Sequence, residues 1–154
     1  MRPWIVLGVG LLAGVGCHNA TAPATSQQKW NYQASILTNG QVTCTFGAAL
    51  ELSQTTGPFT GVYQNGYVAC SGPNGASSTL VSGTVDAGTV TGSTVAFQLT
   101  NTDVTNSGEL SEATVSFLNS GTLDRYTMTG TATMSIVLGG QPYVVSGPWQ
   151  ANLQ

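Results

Sequence analysis

From residue 30 onward the apolar residues of this chain fall on every second position, and that period leaves few folds open. In QVTCTFGAALELS (41–53), Val42, Cys44, Phe46, Ala48, Leu50 and Leu52 share one parity, while Thr43, Thr45, Glu51 and Ser53 take the other. RYTMTGTATMSIVL (125–138) repeats the pattern. Tyr126, Met128, Gly130, Ala132, Met134, Ile136 and Leu138 alternate there with a row of Thr and Ser. Tyr143, Val145, Gly147, Trp149, Ala151 and Leu153 line up in the same way near the end. Successive side chains of a strand point to opposite faces, so each stretch reads as a strand with one buried and one wet face. Helical spacing is missing throughout.

Antiparallel partners have position numbers of constant sum, so each turn signal sets a register. Thr-Thr-Gly-Pro around Gly57 sets Leu52 opposite Val62, Phe46 opposite Val68, Gly47 opposite Tyr67 and Cys44 opposite Cys70. On that register Cys44 and Cys70 form a cross-strand disulfide, as an oxidising compartment allows; two reduced, buried thiols are the alternative. Glu51 then faces outward beside Tyr63, Gln64 is a polar residue on the inward face, and the Tyr67 ring covers Gly47. Asn65-Gly66 belongs to a strand on this reading, despite being a favoured turn pair.

Other turns extend the count. Thr38-Asn39-Gly40 pairs Ile36 with Val42 and Tyr32 with Phe46; Gly139 to Pro142 pairs Leu138 with Tyr143 and Ala132 with Trp149. Asn119-Ser120-Gly121-Thr122 joins two further strands, and Asp86-Ala87-Gly88 competes with Gly92-Ser93 for the turn before them. Eight strands result, near 30–38, 41–54, 59–72, 79–90, 94–100, 110–118, 123–138 and 143–153. Sequential hairpins in that number predict an all-β domain over 29–154, an eight-stranded antiparallel up-and-down β-barrel. A two-sheet β-sandwich is the alternative.

Residues 1–28 follow another pattern. Arg2 precedes the apolar run WIVLGVGLLAGVG, which is shorter than the about 20 residues a helix needs to cross a bilayer. A positive start, an apolar run and small residues before a cut describe a signal peptide over 1–16. Gly14-Val15-Gly16-Cys17 resembles the lipobox of bacterial lipoproteins: Val15 and Gly16 fit, and Gly14 stands where Leu is usual. The resemblance implies cleavage before Cys17, diacylglycerol on its sulfur and an acyl chain on its amine, which together hold a protein stably on a membrane. His18 after the cysteine resembles lipoproteins sorted to the outer membrane. The polar, Pro-containing stretch 17–28 reads as a flexible tether. Plain secretion, with Cys17 removed or left as a spare thiol, is the alternative. Within the domain, GPFTGVY (57–63) is similar to a turn and strand of avidin-like barrels, and KWNY (29–32) resembles the first strand of calycins. These resemblances imply a barrel and no particular ligand.

Charge narrows the function classes. Only 6% of residues are charged, and beyond the leader Lys29 and Arg125 stand against six carboxylates. Such a surface cannot track phosphates, so nucleic acid is not an expected partner, nor is anionic lipid through a basic patch. Beyond the leader the one histidine is His18, in the tether, which removes His-based triads and metal clusters. Glu51, Asp86 and Asp124 fall on loops or the outer face. Asp103, Glu109 and Glu112 gather near one loop, as weak Ca²⁺ candidates or as a plain polar loop. Neither catalysis nor a cofactor is expected.

The inward face remains. It carries Trp30, Tyr32, Phe46, Phe97, Phe117, Tyr126, Met128, Met134, Tyr143 and Trp149 beside Ala34, Ala48, Gly66, Ala113, Gly130, Ala132, Gly147 and Ala151. Either the rings fill the space the small residues leave, or a pocket for a small apolar ligand stays open, lined by Trp30, Tyr32, Tyr126, Met134 and Trp149. Two functions follow. One is a lipid-anchored envelope protein that binds a small apolar molecule. The other is a solid-core surface module acting by protein–protein contact, as an adhesin, inhibitor or scaffold. A transmembrane barrel, apolar face to lipid, is a third.

Overall fold

The computed structural model describes residues 27–105 and 116–154. Eight strands follow one another around a closed antiparallel barrel: β1 (Gln28–Thr38), β2 (Thr43–Leu52), β3 (Gly57–Gly72), β4 (Gly75–Thr91), β5 (Thr94–Thr105), β6 (Ser116–Asp124), β7 (Thr127–Leu138) and β8 (Gln141–Leu153). β8 pairs back onto β1, which makes the fold a barrel rather than a sandwich, a form compatible with a calycin-like fold. The leader, Cys17, the tether up to residue 26 and the segment 106–115 with Glu109, Glu112 and Ala113 lie outside the described residues.

The alternation has the meaning the sequence implies. Met128, Ala132, Met134, Ile136 and Leu138 of β7 are buried, whereas Thr129, Thr131 and Ser135 face solvent. A lipid-facing barrel needs the reverse polarity, so the apolar-face-out arrangement does not apply. Cys44 and Cys70 sit opposite each other and are joined as a disulfide. A bond closing a loop of sequence separation 26 contributes about 3.5 kcal/mol in the chain-entropy account.

Three bulges shift the expected registers. In β1 the pairing slips between Ala34 and Leu37, so Leu37 turns inward and Ile36 outward, and Tyr32 pairs with Ala48 rather than Phe46. In β3 Asn65 adopts a left-handed backbone (φ 52°), and Leu52 pairs with Gly61 instead of Val62. That bulge exchanges the two faces on one side of it: Tyr63 is buried, Gln64 is exposed, and Glu51 sits across from Val62 while bonding Lys29 at 3.4 Å. In β4 Ala87 (φ 49°) makes the third bulge, and the turn falls at Gly92-Ser93.

Two turns also move. Gly139 and Gly140, both at positive φ, close β7 on β8 tightly, so Leu138 meets Gln141, Ile136 meets Tyr143 and Gly130 meets Trp149. Asn119 to Thr122 is not a turn. β6 runs through it to Asp124, and the chain reverses at Arg125-Tyr126. The glycine there serves packing. A Cβ on Gly121 would collide with the Thr129 carbonyl oxygen and stand 2.8 Å from the Gly130 Cα across the ladder. Trp149 pairs with Gly130 across the ladder, and its Nε1 donates to the carbonyl of Ser120, the residue before Gly121, at 3.3 Å. Large beside small is therefore literal packing here.

Candidate functional site

The lumen is the first place to look for a site. β1 and β5 lie on opposite sides of the barrel, as do β2 and β6, four strands apart around the ring. Yet Tyr32 of β1 touches Phe97 of β5 with ring centroids 6.3 Å apart, and Phe46 of β2 meets Phe117 of β6 at 4.4 Å. Trp149 stacks on Tyr32 at 5.4 Å and stands edge-on to Phe97 at 5.3 Å. Phe59 and Tyr63 extend the same chain of rings. An eight-stranded barrel has room for little more than its own side chains, and here aromatic rings cross the width of it.

One polar pair lies within these rings. The Tyr32 hydroxyl donates to Asn119 Oδ1 at 2.6 Å, both residues being buried, and Asn119 Nδ2 donates onward to the Phe97 carbonyl at 3.5 Å. Burial pushes the Tyr32 and Tyr63 hydroxyls well above the ordinary tyrosine range, so both stay neutral. The Trp30 Nε1 and Tyr63 hydroxyl are buried without a hydrogen-bond partner among the described residues.

Of the five residues proposed from sequence to line a pocket, Trp30, Tyr32, Met134 and Trp149 are buried in the lumen, and Tyr32 and Trp149 touch. Tyr126 does not join them. It occupies the β6–β7 turn and is 66% exposed, because the turn lies at Arg125-Tyr126 rather than at Gly121. Tyr143 is half-buried at the other end, its hydroxyl accepting from Asn74 Nδ2 at 2.8 Å. Asn119, the residue that holds Tyr32, was hidden inside an apparent turn; its shared parity with Phe117 and Leu123 was the signal available. Among the described residues no three His, Cys, Asp or Glu gather to hold a metal.

The outer wall offers a concavity. A trough of about 560 Å³ runs over β2, between β1 and β3, with Gly47 and Ala49 on its floor. Asn31 and Gln33 form one side, Asn65 and Tyr67 the other. A smaller depression of about 370 Å³ lies over β8 and β7, sharing Gln33 and Ser35. Tyr67 pairs with Gly47 as the register implies, but its ring does not cover that glycine: nothing of Tyr67 comes within 4 Å of where a Gly47 Cβ would stand.

Fold and site together define a closed, up-and-down, disulfide-bonded barrel with an aromatic-filled lumen and an uncharged outer trough. No family model, characterised protein or solved structure matches the chain.

Proposed function

We propose that this protein is an exported, lipid-anchored envelope module with a solid core, acting through its outer wall rather than by holding an apolar molecule in its lumen. The observation that carries this reading is the contact of rings from opposite strands, Phe46 with Phe117 and Tyr32 with Phe97, in the space a ligand would need. The buried cystine agrees with an oxidising, exported compartment. The lipobox-like Gly14 to Cys17 supplies the attachment point. Gln154 N–H donates to the Lys29 carbonyl at 2.9 Å, so the start of β1 and the end of β8 lie at one pole of the barrel. A flexible tether over 17–28 joins the barrel at that pole and leaves the side wall open to partners.

One preparation tests both halves. Full-length precursor expressed in a bacterial host is purified in detergent and its N-terminus examined by mass spectrometry. An acylated Cys17 as first residue is expected; an intact leader or an unmodified cysteine overturns the anchor. Titration with fluorescent fatty acids, followed through Trp30 and Trp149 emission, should give no saturable quenching. Stoichiometric, saturable quenching overturns the solid core.

A further inference from the structure

We infer that the trough over Gly47 is a binding site for a neutral carbohydrate. The inference rests on the reading that the outer wall is the working surface, and it names the chemistry of the ligand. The first observation is Gly47 itself. It has ordinary strand backbone, and a Cβ there would meet nothing nearer than the Tyr32 carbonyl oxygen at 3.8 Å. Other strand glycines differ. A Cβ on Gly66 would stand 2.7 Å from the Val81 oxygen, one on Gly83 2.8 Å from Tyr63 Cε1, and one on Gly130 2.5 Å from the Gly121 Cα. The fold thus requires glycine at those positions and not at Gly47, where glycine weakens a strand. Its effect at Gly47 is to keep the floor of the trough low.

The second observation is the state of the side chains around that floor. Some polar groups of the outer wall are tied to one another: Thr133 to Ser146 at 3.0 Å, Gln98 to Ser116 at 3.0 Å, Thr84 to Asp86 at 2.6 Å. The amides of Asn31, Gln33 and Asn65 make no hydrogen bond to another described residue. Tyr67, 49% exposed, presents a ring beside them, with the exposed Leu80 as its partner on β4.

The lining selects a class of ligand. It holds no carboxylate, ammonium or guanidinium; the nearest such groups, Lys29 and Glu51, already neutralise each other. Phosphates, carboxylates and cationic ligands therefore find no counter-charge. A lipid tail would leave amides without partners, and three of the four side residues carry them. A neutral sugar fits both halves. Its C–H face packs on the Tyr67 ring, and its hydroxyls, which donate and accept, match amides that do the same. Cross-strand pairing places Thr129, Gln150, Gln33, Gly47, Tyr67 and Leu80 in one row around the wall. The row bends around five of the barrel's eight strand spacings. Its flatter part is Gln33, Gly47 and Tyr67, roughly 10 Å at a strand spacing of about 4.8 Å, the reach of one or two sugar rings.

Affinity electrophoresis of the full chain in native gels containing soluble β-glucan, α-glucan or galactomannan tests the inference. Retardation by at least one of these is expected, and added salt should not reverse it, since no ion pair is involved. Gly47→Val should abolish retardation while leaving the melting temperature unchanged or raised, because the added side chain fills the trough and suits a strand. Tyr67→Ala and Gln33→Ala should each weaken binding about tenfold. Gln98→Ala, on another part of the wall, should change nothing. The inference is overturned if no neutral polysaccharide retards the protein, if only anionic polymers do, or if folded Gly47→Val and Gln33→Ala bind like wild type. Fatty-acid titration reads the lumen separately, so failure here leaves the solid-core reading standing.

Discussion

Tyr32→Phe removes one oxygen from the centre of the barrel and leaves the rings around it in place. The lost group is the donor of the 2.6 Å bond to Asn119 Oδ1, and Asn119 is 4% exposed, so water cannot replace it. The amide's other bond, to the Phe97 carbonyl, is long at 3.5 Å and satisfies the nitrogen rather than the oxygen. An acceptor left buried without a donor costs about 1–3 kcal/mol. Asn119→Leu has the same consequence in reverse, leaving the Tyr32 hydroxyl unpaired. The double variant removes both polar ends at nearly constant volume, which is close to neutral for a buried pair. The two changes should therefore couple by roughly 1–2 kcal/mol. For a domain of this size each kcal/mol moves the melting temperature by about 3–5 °C. Urea and thermal unfolding of the disulfide-intact protein, followed by circular dichroism, measure all four corners of the cycle. A Tyr32→Phe variant as stable as wild type, or a double variant that loses the sum of the singles, refutes the argument that this bond is sealed from water.

Two further outcomes follow from the packing. Gly130→Ala drives a Cβ into the Ser120 carbonyl and against Gly121, so it should cost about 1–3 kcal/mol in urea unfolding, whereas Gly47→Ala should cost nothing. Stability should also fall in alkali: Tyr32 and Tyr63 stay protonated in the fold but ionise in the unfolded chain above pH about 10. The native state then binds more protons than the unfolded one, and stability declines by up to about 2.7 kcal/mol per pH unit as pH rises. Tyr32→Phe should halve that slope in urea titrations; an unchanged slope would mean that Tyr32 ionises freely in the native barrel.

Strand number, chain order and the Cys44–Cys70 pairing were legible because each rests on a two-residue period interrupted by strong turns. The bulges were not. Asn65-Gly66 and Ala87-Gly88 carry turn chemistry, yet the ladder continues through them, and whether such a pair turns or bulges depends on what lies across the sheet. Gly121 misled for the same reason: its role is set by Gly130 and Trp149, residues of other strands. The trough was hidden more deeply. Outward residues need no pattern to satisfy the core, so the gathering of Asn31, Gln33, Gly47 and Tyr67 emerges only once three strands are laid side by side.

The pairing of β1 with β8 carries a consequence for how such a chain must be made. Until Gln141–Leu153 is in place, β1 and β7 each end in a row of unpaired amide and carbonyl groups, open to any other extended chain. β8 is thus the segment that removes both hazards at once, and a chain stopped before it is no smaller version of the protein. It is an open sheet with two adhesive borders.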